Sequence, residues 1–413
     1  MHIYFLLIRL AALMGNKKAQ LLLEGQANTL RLLRKAPPEM WKDCIWFHAA
    51  SVGEFEQARP IIEEIRREKL ETRIILTFFS PSGYEMRKNY DKADGVFYLP
   101  FATRRNAKEF LDLVQPKMAI FVKYEFWPAY LKELHKRAIP TYIISAIFRK
   151  SQLFFQPWGK PYRNLLHCFT KLFVQDENSK QLLAQFGIEN VEVTGDTRFD
   201  RVSAIAQVPK ALPLLEQFRV ESLEFRDVQK FKVLIAGSTW PEDEQLLARY
   251  IEERPDVKLV LVPHEIDDEH MHRIFEIFKG KFVRYTEATP MNISHTRVLV
   301  VNTMGLLSSI YRYADVAYIG GGFGAGIHNT IEAAVYGIPV LFGPKHEHFR
   351  EAKGLIAAGA AYGIRNYDEL RNRLDEAFDN QTTMGSKAKA YVESECGATE
   401  SVLKSLKLKV KRS

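Results

Sequence analysis

Short β-branched and aromatic runs alternate with stretches of helical period through both halves of the chain, a pattern that predicts βαβ units and parallel sheets. In the first half the strand expectations are CIWFHAA (44–50), RIILTFF (73–79), GVFYLP (95–100), MAIFVK (118–123), TYIISA (141–146), KLFVQ (171–175) and VEVTG (191–195). Helix-like segments such as Phe55–Lys69 and Phe126–Lys136 lie between them. The rhythm breaks over Ala204–Lys230, where Pro209 and Pro213 precede mixed charge without a strand, so the inter-domain connection is expected there. It restarts with KVLIAGS (232–238), VKLVLVP (257–263), FVRYT (282–286), VLVVNT (298–303), VAYIGG (316–321) and IPVLFG (338–343). The expectation is an α/β fold of two similar units facing one another across a cleft, with ligands at the carboxyl ends of the strands. The expected boundaries are 1–24 for an N-terminal helix, 25–205 for the first domain, 206–230 for the linker, 231–395 for the second domain and 396–413 for a last helix.

Length and charge sharpen this. A chain of 413 residues exceeds one ordinary core and fits two domains of about 200 residues. Lys and Arg number 58 against 50 Asp and Glu, a net +8 that favours an anionic partner: a nucleotide, a phosphorylated lipid or an acidic membrane surface. Nucleic acid is disfavoured, because no basic stripe is interleaved with aromatics and no zinc-finger spacing occurs. Cys44, Cys168 and Cys396 fit neither a metal site nor a disulfide framework.

At the N-terminus, residues 2–14 read HIYFLLIRLAALM, an apolar run interrupted by Arg9. It is shorter than the roughly 20 residues that span a bilayer. Lys17 and Lys18 follow, then Leu21, Leu22 and Leu23. Two readings stand: a helix lying in the membrane interface, or an amphipathic first helix packed on its domain.

Chemistry is sought where strands end. After CIWFHAA come Ser51, Val52, Gly53 and Glu54, small residues leading into a helix. Glu54 is a candidate general base if burial raises its pKa, or a first-turn glutamate complementing the helix dipole. Glu125 lies among Tyr124, Phe126 and Trp127 before Pro128, a setting for a perturbed carboxylate or for a helix start with core aromatics. Arg198, in Gly195-Asp196-Thr197-Arg198-Phe199-Asp200, can grip an anion or pair with Asp196 or Asp200.

The second half carries a denser cluster. VAYIGGGFGAGIHNTIEAAVYGIPVLFGP places Gly320, Gly321, Gly322, Gly324 and Gly326 between a strand and a helix, where backbone N–H groups can cradle an anion. His328 or Asn329 can cap the helix. Glu332 can accept both hydroxyls of a ribose, or complete a capping box with Asn329. Ser238 in Ala-Gly-Ser-Thr (236–239), Pro263-His264, and Met304-Gly305-Leu306 mark three further strand ends. His346 and His348 lack a third ligand, and no Asp-x-Asp motif is present, so no metal is expected.

Together ASVGE (50–54), YEFWP (124–128), GDTRFD (195–200), AGST (236–239), LVP (261–263), NTMG (302–305) and GIHNTIEAAVYGIPVLFGP (326–344) resemble the Kdo transferases, over nearly the whole chain from about Leu22. The resemblance implies a GT-B fold of two Rossmann-like domains. It also implies inverting, metal-independent and cofactor-free transfer of the acidic eight-carbon sugar Kdo from CMP-Kdo to the lipid A precursor, at the cytoplasmic face of the inner membrane. Under it Glu54 matches the general base, and Glu125 and Arg198 match positions that support the transition state. Pro263, His264, Met304, Gly305, Leu306 and the run Asn329, Thr330, Ile331 and Glu332 match CMP-binding segments, with Ser238 and Gly322 beside them. There are departures: Arg198 stands where Lys is more usual, His264-Glu265 where Arg-His is common after LVP, and Asn302 where Asp is common. Rival readings are another GT-B enzyme using a UDP-sugar, a nucleotide-sugar epimerase, and a silent scaffold on anionic lipid.

Overall fold

A computed structural model describes residues 2–68, 71–208, 210–221 and 229–408. Of the sequence expectations, Lys69, Pro209, the stretch 222–228 of the connection and the final residues 409–413 lie outside that range. The chain divides into two compact units, one formed by Met1–Arg201 with Cys396–Ser413, the other by Val202–Glu395.

The first unit holds seven parallel strands: β1 (Ile45–Ala49), β2 (Ile74–Phe78), β3 (Gly95–Tyr98), β4 (Met118–Val122), β5 (Thr141–Ala146), β6 (Lys171–Val174) and β7 (Val191–Val193). Their order is β3-β2-β1-β4-β5-β6-β7. Every residue of β1 and β2 is buried, as continuous apolar runs require when both faces of a parallel sheet are covered. The chain order reverses between β1 and β4, and that switch point is where such sheets bind ligands.

Two helices precede β1: α1 (His2–Leu13) and α2 (Lys17–Lys35). The break lies at Gly15 and Asn16, whose Oδ1 accepts the Ala19 N–H and opens a new helix. α2 then continues past residue 24, because Leu22, Gln26, Thr29 and Leu33 recur on one buried face. The expected boundary at 24/25 therefore falls inside a helix. No helix among the described residues is long and apolar enough to cross a membrane. On α1 and just after it, Leu6, Leu7, Leu10, Leu13 and Met14 are exposed, the last two at 85% and 86%. α3 (Val52–Arg67) leaves the end of β1 and buries Phe55, Ala58, Ile61, Ile62 and Ile65 against the sheet.

The second unit repeats the plan. Its strands are β8 (Lys232–Thr239), β9 (Val257–Pro263), β10 (Val283–Arg284), β11 (Val298–Val300), β12 (Val316–Ile319), β13 (Val340–Phe342) and β14 (Ala361–Gly363). They run parallel in the order β10-β11-β9-β8-β12-β13-β14. α4 (Pro241–Glu253) follows β8, and the short α5 (Ile331–Ala334) follows the glycine-rich loop after β12.

The expected linker is not a free connection. Within 206–230 the helix Pro213–Phe218 buries Leu215 and Phe218, and Arg219 donates to the Tyr313 carbonyl and pairs with Asp315 of the second unit. Pro213, which breaks a strand pattern, opens a helix here instead. The last helix is also shorter than expected. α6 (Ala398–Ser405) packs Val402 and Leu403 into the core of the first unit beside α3. Asp200 holds its start, accepting from the N–H groups of Gly397 and Thr399.

Candidate active site

In the first unit three strand ends converge on α3. Ser51 is the N-cap of α3, and its Oγ accepts the Glu54 N–H while the Ser51 N–H donates to Glu54 Oε2 at 2.9 Å. This is the capping box that the first-turn position allowed. It occupies Oε2, which also accepts the Ser51 hydroxyl, and leaves Oε1 without a partner among the described residues. Burial raises the Glu54 pKa, and the charge of Glu125 raises it further, against the lowering effects of Ser51 and His48. The capping and general-base readings are thus compatible, one on each oxygen.

Glu125 follows β4 and is buried. Its Oε2 accepts the Trp127 indole N–H at 2.5 Å and lies 3.0 Å from His48 Nε2. His48 Nδ1 lies 2.9 Å from the Thr77 hydroxyl and 3.1 Å from its carbonyl, so the ring is held between Thr77 and Glu125. His48 was missed in the sequence because it sits inside an otherwise apolar strand, and only its polarity at a buried position hinted at a role.

Arg198 does not stand open for an anion. Its Nε and Nη2 donate to Asp196 Oδ2 at 2.9 and 2.8 Å, a two-pronged grip, while Gln57 of α3 donates to Oδ1. Burial would raise the Asp196 pKa, but the Arg198 charge and these hydrogen bonds outweigh it and hold the carboxyl below its ordinary value. Asp196, one of the two partners the motif offered, is thus engaged.

In the second unit the glycine-rich loop is shaped by packing as well as by any ligand. A Cβ on Gly320 would lie 2.2 Å from the Ser238 carbonyl oxygen, and one on Gly322 would lie 2.5 Å from Gly343 Cα. The expectation that the loop cradles an anion through its backbone is narrowed to part of the run. The N–H groups of Gly320, Gly324, Gly326 and His328 donate to carbonyls of Gly237, Gly321, Gly321 and Gly320. That of Gly321 donates to Asp243. Five donors of the run are therefore already engaged.

Asp243, at the start of α4, also accepts the Trp240 N–H and the Tyr318 hydroxyl. Beside it Glu244 accepts from Thr239 and His270. Burial raises both carboxyls. Ser238, at φ 54, stands at the register shift where β8 ends. In sequence Glu242, Asp243 and Glu244 read only as a helix start, so this underpinning was not visible.

The other expected residues lie around these strand ends. Pro263 closes β9, and His264 stacks on Trp240 (centroids 4.9 Å) and on His328 (4.3 Å). Asn329 Nδ2 donates to Glu332 Oε1 at 2.9 Å, and Asn329 Oδ1 accepts the Ile331 N–H, a local pair rather than a capping box. Thr330 is buried, with its hydroxyl unpartnered. After β11, Met304 is 66% exposed, Gly305 has φ 83, and Leu306 leads into the following turn. Asn302 ties that turn to Thr286 through two hydrogen bonds. Among the described residues no group of three or more His, Cys, Asp and Glu side chains is arranged to hold a metal.

Two parallel seven-stranded sheets in Rossmann-like units, with polar groups gathered at the strand ends, define a GT-B-type α/β protein. Solved structures agree on the fold. A putative UDP-N-acetylglucosamine 2-epimerase from Listeria monocytogenes matches with TM-score 0.62 at 16% identity, covering 89% of this chain and 96% of that one. MurG from Acinetobacter baumannii matches at 0.54 and 12%, covering 89% and 99%. Residues 24–201 match the family model described as 3-deoxy-D-manno-octulosonic-acid transferase (Kdo transferase). The 3-deoxy-D-manno-octulosonic acid transferase of Aquifex aeolicus is 28% identical over 361 residues, 84% of this chain and 90% of that protein. Its Haemophilus influenzae namesake is 28% identical over 367 residues, 81% and 82%. The chain is thus similar to Kdo transferases, through the family model over residues 24–201 and through these relatives over most of its length.

Proposed function

We propose that this chain transfers Kdo from CMP-Kdo to a hydroxyl of the lipid A precursor, with inversion at the anomeric carbon. The observation that carries the chemistry is Glu54: a carboxylate fixed through one oxygen, open at the other, with its pKa raised by burial and by Glu125. In this reading Oε1 takes the proton from the acceptor hydroxyl as the oxygen attacks the anomeric carbon and the bond to CMP breaks. The network of Glu125, His48 and Trp127 keeps a negative neighbour close to Glu54, which strengthens it as a base. Arg198, neutralised by Asp196, orders the α3 side of the site through Gln57 rather than holding a phosphate itself. The second unit binds the nucleotide, with Glu332 on the ribose and Pro263, His264, Met304, Gly305, Leu306 and Asn329 to Ile331 around the cytidine monophosphate. The reaction so written needs no metal or cofactor. The exposed leucines of α1, with Arg9, Lys17 and Lys18, rest the protein on the inner membrane surface where the lipid resides.

The test is incubation of purified protein with CMP-Kdo and tetraacylated lipid A precursor, with and without a chelator, read by mass spectrometry of the lipid. A mass gain of one or more Kdo units with release of CMP, unaffected by the chelator, is expected. Unchanged lipid, in a preparation that binds CMP, would exclude this acceptor.

A further inference from the structure

The glycine-rich loop raises a problem for any anionic ligand in the second unit. Five of its backbone donors are engaged within the protein, and the strand-end residue after Pro263 is a histidine. Beside the loop's remaining backbone donors, the geometry around His328 supplies a side-chain donor for a phosphate or carboxylate oxygen.

The Trp240 indole nitrogen lies 3.2 Å from His328 Nε2. An indole N–H only donates, so the nitrogen facing it must be the unprotonated one. The single proton of the neutral ring then sits on Nδ1. The Nε2–Cδ2 edge of the ring also packs on the glycine loop, within 3.2 Å of where a Gly321 Cβ would stand, which places Nδ1 on the opposite side of the ring. Nδ1 has no partner among the described residues, and it is not a sealed, unsatisfied group. His264 stacks on both Trp240 and His328 and clamps them. Burial, and next the proximity of His264, push the His328 pKa down to about 4, so the ring is neutral at physiological pH. His264 is the titratable side chain that acts on it.

We propose that His328 binds an anionic oxygen of the nucleotide-sugar through its Nδ1–H, as a neutral donor, and that Trp240 is the positioning residue that fixes this tautomer. The inference rests on the reading that the second unit binds a nucleotide-sugar. A neutral donor has a chemical merit here: it holds the phosphate without the charge that would make CMP slow to leave after transfer. His328 does for this ligand what the backbone of an open glycine loop does elsewhere.

Two measurements on the full-length protein test it. The first is nitrogen NMR of histidine-labelled protein at pH 7, with His328→Asn to assign the signal. A protonated Nδ1 and an unprotonated Nε2 are expected for His328. The reverse pattern, or rapid exchange between the two, overturns the proposal. The second is calorimetry with CMP as the probe. His328→Leu is expected to weaken CMP binding by roughly tenfold, the scale of one hydrogen bond to a charged group. His328→Asn, whose amide can place an N–H near the Nδ1 position, should retain most of the affinity. Trp240→Phe keeps a ring against His264 but frees the tautomer. Its affinity should fall by several-fold, since the proton is then shared between the two ring nitrogens. Equal losses in all three variants would mean a purely structural role. A wild type with the expected tautomer that ignores CMP would sink the nucleotide reading itself, whereas CMP binding indifferent to His328→Leu sinks this proposal alone.

Discussion

The two units use buried carboxylates at their strand ends to opposite purposes. Glu54 in the first unit and Asp243 and Glu244 in the second are all raised above their ordinary pKa, chiefly by burial. In the second unit every carboxylate oxygen is taken: Asp243 by Tyr318, Trp240 and Gly321, and Glu244 by Thr239 and His270. Of these three, only Glu54 keeps an oxygen with no partner among the described residues. A raised pKa therefore does not distinguish a reacting group from scaffold. The open lone pair does, and it is a property of geometry rather than of burial.

Replacing Glu54 by Gln is the strongest way to break that contrast. It should lower kcat by about 10²- to 10⁴-fold, the usual worth of a positioned base. Stability should hold or rise. A carboxyl raised on folding stabilises the protein only at pH below its unfolded value, and that contribution is lost as pH rises, so a neutral amide loses nothing at pH 7. A melting temperature that drops together with activity would return Glu54 to the scaffold class.

Asp196→Asn comes next, with a stability loss of roughly 3 kcal/mol from removing the charge of a buried carboxylate that Arg198 and Gln57 hold, read by urea denaturation. The pH dependence carries the sign. Asp196 is lowered on folding, so wild type holds its contribution above the ordinary carboxylate range and loses it as pH falls through the lowered value, and the variant lacks that acid-side decline.

Asp243→Asn should cost about 1–3 kcal/mol, because an amide oxygen cannot satisfy three donors arriving at two oxygens. The pH–rate profile should keep its shape. A changed acid limb would show that Asp243 titrates in the reaction and would erase the difference between the units.

The smallest effect sharpens the comparison most. The acid limb of kcat should lie above the ordinary carboxylate range, since activity needs ionised Glu54 and its pKa is raised. Glu125→Gln removes a neighbouring charge that disfavours ionised Glu54, so the limb should move to lower pH, measured with saturating donor. A limb that stays in place would mean that Glu125 acts only through His48 and Trp127.

Much of this could be read from the amino acids, and the failures have physical causes. Thirteen expected strands have counterparts, because buried parallel strands are short apolar runs that end at glycine or proline. The strand Ala361–Gly363 escaped, since three residues of small and mixed character carry no period. Helices α1 and α2 were blurred into one terminal feature because their break depends on a single Asn16 cap. The connection looked loose from its prolines, yet Leu215 and Phe218 pack it down. At the sites, the capping box of Ser51 and Glu54 was legible from their spacing in sequence. The roles of His48, Trp240 and Asp243 were not, because each depends on partners brought close only by the fold, such as Thr77, His328 and Tyr318.

Helix α6 has a consequence for how the protein is made. The first unit needs residues from two separate stretches of the chain: Val402, Leu403 and Leu406 fill a core whose other buried members precede residue 202. During synthesis the first sheet emerges early but waits for residues beyond Glu395, while the intervening unit has all of its own residues beforehand. A chain that stops before α6 thus carries an open apolar seam beside α3. α6 works as a seal, and quality control that recognises exposed apolar surface can tell a chain that has it from one that lacks it.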